Sequence, residues 1–327
     1  MVKIDLITGF LGSGKTTFIK EYAKYLISKG EKICIIENDY GAVNIDMVML
    51  QDLLGERCNL EMIVGGDGKE AHRRRFRTKL ISMGMSGYDR VLIEPSGIYD
   101  VDEFFDVLYD EPLDRWYEIG NVISLVDAKA VFDLGDFERY IFMSEIAWAG
   151  KLVFSKIGEE SDAGEVLDAV NRIMEEFGGR RFDAEKDIIF CAPGTAGYDG
   201  QNPFGLLTAE DFDELSGCGY RHASYVKLPI EDKQFTPLFY FDVAMPSDRL
   251  REIAKGLLTD KKAGHVIRIK GFVQISPDAQ VELNATEKEI KTSPIVSSRN
   301  VLIVIGERLD KEYINSIFKD YCSVVSL

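Results

Sequence analysis

Short apolar runs alternate with helical periodicities along the first two-thirds of the chain. Runs at Val2–Thr8 and at residues 32–37, 90–94, 121–126, 151–154 and 187–191 have the length and character of buried strands. Between them, residues 16–28 put Phe18, Ile19, Tyr22 and Leu26 on one helix face, and Gly30 supplies a stop signal. Residues 162–177 predict another helix, opened by Asp162 and Glu165 as a capping pair and ended by Gly178 and Gly179. Strands alternating with helices predict an α/β fold, a mostly parallel sheet covered by helices on both faces. In such sheets the functional loops gather at the carboxyl ends of the strands. The pattern changes near residues 215–222. Strand-like runs at 223–228, 238–243, 265–274, 280–285, 287–292 and 300–306 then follow with only two helices, 247–258 and 310–321. Consecutive strands of this kind predict a smaller α+β domain over residues 221–327, after a larger α/β domain over 1–220.

The candidate chemistry falls where the strands end. Gly9-Phe-Leu-Gly12-Ser13-Gly14-Lys15-Thr16 fits the P-loop template G-x-x-x-x-G-K-S/T, and Thr17 follows. Glycines let the backbone curl so that successive N–H groups face a phosphate chain, and the helix starting there adds its positive dipole end. Lys15 is expected along the β- and γ-phosphates, and Thr16 on the magnesium ion. The apolar strand that ends at Glu94-Pro-Ser-Gly97 supplies a second magnesium ligand, Glu94, and an amide at Gly97 placed to sense the γ-phosphate. Glu37 and Asp39 end another strand and are expected to face the metal or position a water, although a polar turn also begins this way. At the later strand ends, Ser155 and Lys156, then Cys191, Ala192 and Pro193, are the candidates for the base side, with residues 194–205 as a covering loop.

Composition narrows the partners. A net charge of −16 argues against nucleic acid, whose phosphates an acidic surface repels. No apolar run approaches a membrane-spanning length, and Val2–Thr8 reads as a strand rather than a leader, so a cytoplasmic protein is expected. The five cysteines are scattered without a C-x-x-C pair, as in a reducing compartment. Arg73, Arg74, Arg75 and Arg77 form a basic cluster, read as a solvated helix face in preference to an arginine finger or an anionic docking site.

Taken in order, these motifs resemble the CobW family of P-loop GTPases, related to the HypB and UreG metal-centre maturation proteins. The resemblance rests on residues 9–17, on Glu37-Asn-Asp-Tyr-Gly41 with Asp46, on Glu94-Pro-Ser-Gly97, on Ser124-Leu-Val-Asp127-Ala, and on Arg268-Ile-Lys-Gly-Phe272 in the second domain. It implies a magnesium-dependent nucleotide hydrolase with GTP as substrate. Its output would be a conformational switch serving a client metalloprotein or corrinoid protein, as a metallochaperone or cobalamin-related factor; a homodimer is a further option. Two positions depart from the family. Its G-C-x-C-C cluster is replaced by Gly65-Gly-Asp67-Gly-Lys69, so no thiolate site for a transition metal forms there. Asp67, Glu37 and His72 are the substitute ligands at hand. The Asp of the guanine-reading N-K-x-D becomes Gly158, which accepts no hydrogen bond, so the residues leave ATP open beside GTP. Glu159 or Glu160 would have to replace it.

Overall fold

The computed structural model describes residues 1–39, 46–64, 69–96, 101–157, 162–191, 202–226, 235–295 and 300–325. The chain divides into two compact units, Met1–Leu228 and Pro229–Leu327.

The first unit is built on a seven-stranded sheet. Its strands are β1 (Val2–Thr8), β2 (Ile33–Asp39), β3 (Cys58–Val64), β4 (Arg90–Pro95), β5 (Tyr117–Asp127), β6 (Lys151–Ser155) and β7 (Ile188–Phe190). They lie in the order β3-β2-β4-β1-β5-β6-β7, and every pairing is parallel. The helices are α1 (Lys15–Ser28), α2 (Asp46–Leu50), α3 (Lys69–Gly84), α4 (Val101–Leu108), α5 (Leu113–Trp116), α6 (Asp136–Ile146), α7 (Ala163–Glu176) and α8 (Ala209–Ser216). Phe18, Ile19, Tyr22 and Leu26 of α1 pack with Phe212 and Leu215 of α8 over Ile7, Ile33, Ile35, Leu92 and Leu125. On the opposite face the α3 residue Met83 meets Cys34 of β2. A parallel sheet with both faces covered follows, which is why its strands read as nearly unbroken apolar runs. Among the described residues no helix is long and apolar enough to cross a membrane.

The amino-terminal half of this sheet is fastened by a polar network. Asp5 of β1 is fully buried and accepts from Arg90 of β4 at 2.6 Å, from the Tyr22 hydroxyl of α1 at 2.9 Å, and from the Asn121 backbone and amide of β5. A Cβ at Gly120 would stand 2.4 Å from the Asp5 carboxylate, so the chain approaches that group as closely as glycine allows.

The second unit is a six-stranded antiparallel sheet of β8 (Phe235–Phe241), β9 (His265–Ser276), β10 (Ala279–Thr286), β11 (Ile290–Ile295), β12 (Val301–Glu307) and β13 (Val324–Val325). One core gathers α9 (Ser247–Thr259) and α10 (Lys311–Phe318) against Leu238, Tyr240, Ile269, Leu283 and Val304 of the sheet.

Several elements differ from the sequence pattern. The strand expected at 223–228 is absent over the described residues 223–226, where no regular structure forms; the rest of that run lies outside the described residues. The strand expected at 287–292 is displaced to Ile290–Ile295, because Thr286 and Glu289 exchange backbone hydrogen bonds and close a turn. β5 begins at Tyr117 because its ladder with β1 starts at the Val2–Tyr117 pair. β3 is not among the strands expected from the sequence, and α3 extends the helix face expected at residues 73–77 to Lys69–Gly84. β3 is an edge strand in which Asn59 and Glu61 interrupt the apolar run, and α3 is dominated by charge.

Candidate functional site

β1 leads straight into a glycine turn that ends at Lys15, the first residue of α1. Gly9 has φ +136° and Gly14 φ +97°, both in the region where a side chain is strained. A Cβ on Gly9 would lie 2.4 Å from the Leu125 carbonyl, and one on Gly14 would lie 3.0 Å from the Phe204 ring. The motif spacing is therefore a record of backbone shape: the loop curls against β5 on one side and Phe204 on the other. Phe204 is itself buried, edge-on to Phe18 of α1 at 5.5 Å.

Four functional groups converge on this turn. The Lys15 ammonium, nearly buried, donates to the Gly9 carbonyl at 2.6 Å. Thr16, next along α1, donates its hydroxyl to the Glu94 carboxylate at 2.8 Å. Glu94 stands beside Glu37 in the register of β2 and β4, and both carboxylates are buried. Two acids on adjacent strands in a site of low water content repel one another unless positive charge stands between them. Thr17 sits in the first turn of α1, half-buried. Asp39 ends β2, and its side chain lies outside the described residues, as do Gly97, Ala192, Pro193, Asp67 and residues 158–161.

Of the residues that the sequence assigns to a base, two are tied to this loop. The Ser155 hydroxyl donates to the Ser13 carbonyl at 2.9 Å. Lys156, held at φ +58°, donates to the Gly12 carbonyl at 2.8 Å and pairs with Asp127 at 2.7 Å. Lys156 thus braces the phosphate loop in this state. Cys191 is buried: its thiol belongs to the core, and its N–H donates to Phe154.

Burial pushes the Cys191, Cys34 and Cys218 thiols up to about 12, and the Cys58 thiol up to about 11. Since the thiolate is the reactive form, labelling with a disulfide reagent at pH 8 is expected to start at Cys322 and to be slow at the other four. Raising the pH should accelerate those four by about tenfold per unit until their pKa values are approached. Equal rates at all five positions in the folded protein would contradict the burial described.

Two residues that shape the loop are not singled out in the sequence, although Phe204 falls within the run 194–205 expected as a covering loop. Glu145 of α6, fully buried, accepts the Gly9 N–H at 2.7 Å and the Thr8 hydroxyl at 3.3 Å. Phe204 supports Gly14 from below. Neither carries a local motif, so no sequence signal marked them. In the basic cluster, Arg73 pairs with Asp110 and Arg77 donates to the Glu111 carbonyl, whereas Arg74 and Arg75 face solvent. His72 is buried. Among the described residues, no group of three or more His, Cys, Asp or Glu side chains is arranged to hold a metal ion.

A parallel sheet whose first strand opens through a glycine turn into a helix carrying Lys and Thr defines the P-loop NTPase fold. The chain belongs to the CobW/HypB/UreG family: the nucleotide-binding domain of that family matches residues 3–181, and the cobalamin synthesis protein CobW C-terminal domain matches residues 238–322. Among characterised relatives it is 29% identical over 182 residues to the zinc chaperone YeiR of Escherichia coli K12, covering 55% of this chain and 54% of that protein. It is 27% identical over 181 residues to the zinc chaperone YjiA of the same organism, covering 53% and 54%. The chain thus spans about half the length of the curated relatives it matches. Among solved structures, the Zn(II)-bound YjiA GTPase from E. coli aligns over 98% of both chains at 18% identity with a TM-score of 0.38. The hydrogenase maturation factor HypB from Archaeoglobus fulgidus aligns over 66% of this chain and 88% of its own at 19% identity, with a TM-score of 0.40.

Proposed function

We propose that this chain binds a magnesium–nucleoside triphosphate at the loop of residues 9–17, hydrolyses it slowly, and uses the cycle to switch its conformation while assisting a metal-dependent client. The observation that carries this reading is the meeting of Thr16 and Glu94 at 2.8 Å, with Glu37 alongside, directly behind the phosphate loop. A hydroxyl and buried carboxylates are the hard oxygen donors that magnesium prefers. Thr16 and Glu94 would hold the ion, which when bound neutralises charge on the phosphates. Lys15 would move from the Gly9 carbonyl toward the β- and γ-phosphates. Glu37 and Asp39 would orient the attacking water, and Gly97 would sense the γ-phosphate. Ser155, Lys156 and the backbone at residues 191–193 would border the base.

Zinc is the first metal to test for delivery, because the relatives are named as zinc chaperones. A corrinoid protein is the alternative client that the C-terminal domain suggests. The five free cysteines suit a cytoplasmic setting. A second reading, a nucleotide-gated binding protein that does not hydrolyse, is favoured by the lack of any cysteine at residues 65–69.

Calorimetry and phosphate release with magnesium and either GTP or ATP separate these readings. Saturable binding with slow phosphate release supports the hydrolase, and tight binding without turnover supports the gated binder. A flat calorimetric trace with both nucleotides ends both proposals.

A further inference from the structure

We infer that Glu145 is a positioning residue that clamps the phosphate loop through Gly9 and, by its buried charge, sets how weakly that loop holds its anion. The inference rests on the nucleotide reading above. α6 delivers the Glu145 side chain, wholly buried, to the junction of β1 and the loop. Its carboxylate accepts the Gly9 N–H at 2.7 Å and the Thr8 hydroxyl at 3.3 Å. Its own backbone carbonyl accepts the buried Ser124 hydroxyl of β5 at 2.9 Å, which fixes that end of α6 to the sheet. On the other side of Gly9, the carbonyl accepts the Lys15 ammonium at 2.6 Å. The first loop residue is therefore held at its N–H by a carboxyl group from α6 and at its C=O by the ammonium of Lys15 from α1. It also has no room to shift, since even a Cβ would press into the Leu125 carbonyl.

Two consequences follow. The Gly9 N–H is occupied by Glu145 and does not join the amides that face the phosphates. More importantly, the carboxylate sits behind a loop whose task is to gather the negative charge of a polyphosphate. A like charge within about 10 Å in a protein interior weakens anion binding by on the order of tenfold. A carboxamide would give Gly9 the same acceptor without the charge. Glu145 thus shapes the loop and at the same time limits its grip, which favours departure of the nucleoside diphosphate.

Two measurements on wild type, Glu145→Gln and Glu145→Leu test the device. Amide hydrogen exchange at Gly9 without nucleotide reads the clamp: wild type and the Gln variant should be protected, and the Leu variant at least about tenfold faster. Calorimetry with magnesium and GTP, then ATP, reads the charge: Gln should bind the preferred nucleotide about tenfold more tightly than wild type, and Leu more weakly. An affinity in the Gln variant equal to or below that of wild type overturns the charge role. Fast Gly9 exchange in wild type, or unchanged exchange in Leu, overturns the clamp. If wild type binds neither nucleotide yet protects Gly9, the functional reading and the charge role fall together while the clamp stands.

Discussion

Lys15→Ala is expected to weaken binding of magnesium–nucleotide by about a hundredfold, ~2.7 kcal/mol, with little change in folding stability. A hydrogen bond to a charged group contributes about 1.5–3 kcal/mol, and an ammonium between two phosphate oxygens replaces interactions that water supplies poorly in a closed loop. Folding should survive because the loop keeps its other ties. Gly9 remains held by Glu145, Ser13 by Ser155 and Gly12 by Lys156. The variant loses the hydrogen bond to the Gly9 carbonyl. Lys15→Arg should not restore affinity, since a planar guanidinium cannot take the place of a compact ammonium in a nearly buried slot. Titration calorimetry gives the affinity and thermal unfolding gives the stability. A variant that binds as tightly as wild type would remove Lys15 from the site, whereas joint loss of binding and folding would assign it a structural role.

The parts legible in the sequence are those whose cause is local. The phosphate loop could be read because its glycines answer to backbone dihedrals and close approach at their own positions, as Gly9 and Gly14 show. β1 was legible because it is largely buried and its run is mostly apolar, broken only by Lys3 and Asp5 before Thr8. What escaped depends on groups that meet only after folding. Glu145 lies 136 residues from the Gly9 amide it accepts, and in α6 it reads as one more acid on a helix. Lys156 is expected at the base from its motif position, and the contacts of its ammonium with Asp127 and the loop are a pairing that spacing alone could not reveal. The run at 223–226 has strand-like residues, but no neighbouring strand pairs with it, and composition cannot supply a partner.

Arg90→Ala is expected to destabilise the first unit by about 3–5 kcal/mol, the cost of stripping the partner from a buried charge. The sequence offers no sign of this, because Asp5 sits in β1 as a single acid among apolar residues. In the fold Asp5 is fully buried: burial raises its pKa above the ordinary carboxylate value, and the Arg90 guanidinium 2.6 Å away draws it back down. Without Arg90, the Tyr22 hydroxyl and the Asn121 donors remain on the carboxylate among the described residues. Its pKa must then rise further, and the native state binds a proton that the unfolded chain releases near pH 4. Stability of Arg90→Ala therefore falls as pH rises above that value, so the loss is larger at pH 8 than at pH 5. Adding Asp5→Asn should recover part of it, since the amide oxygen still accepts from Asn121 and no charge is left in the core. Urea unfolding at the two pH values measures both effects. A destabilisation below about 1 kcal/mol at pH 8, or one that Asp5→Asn deepens, would mean that the ion pair does not hold the sheet together.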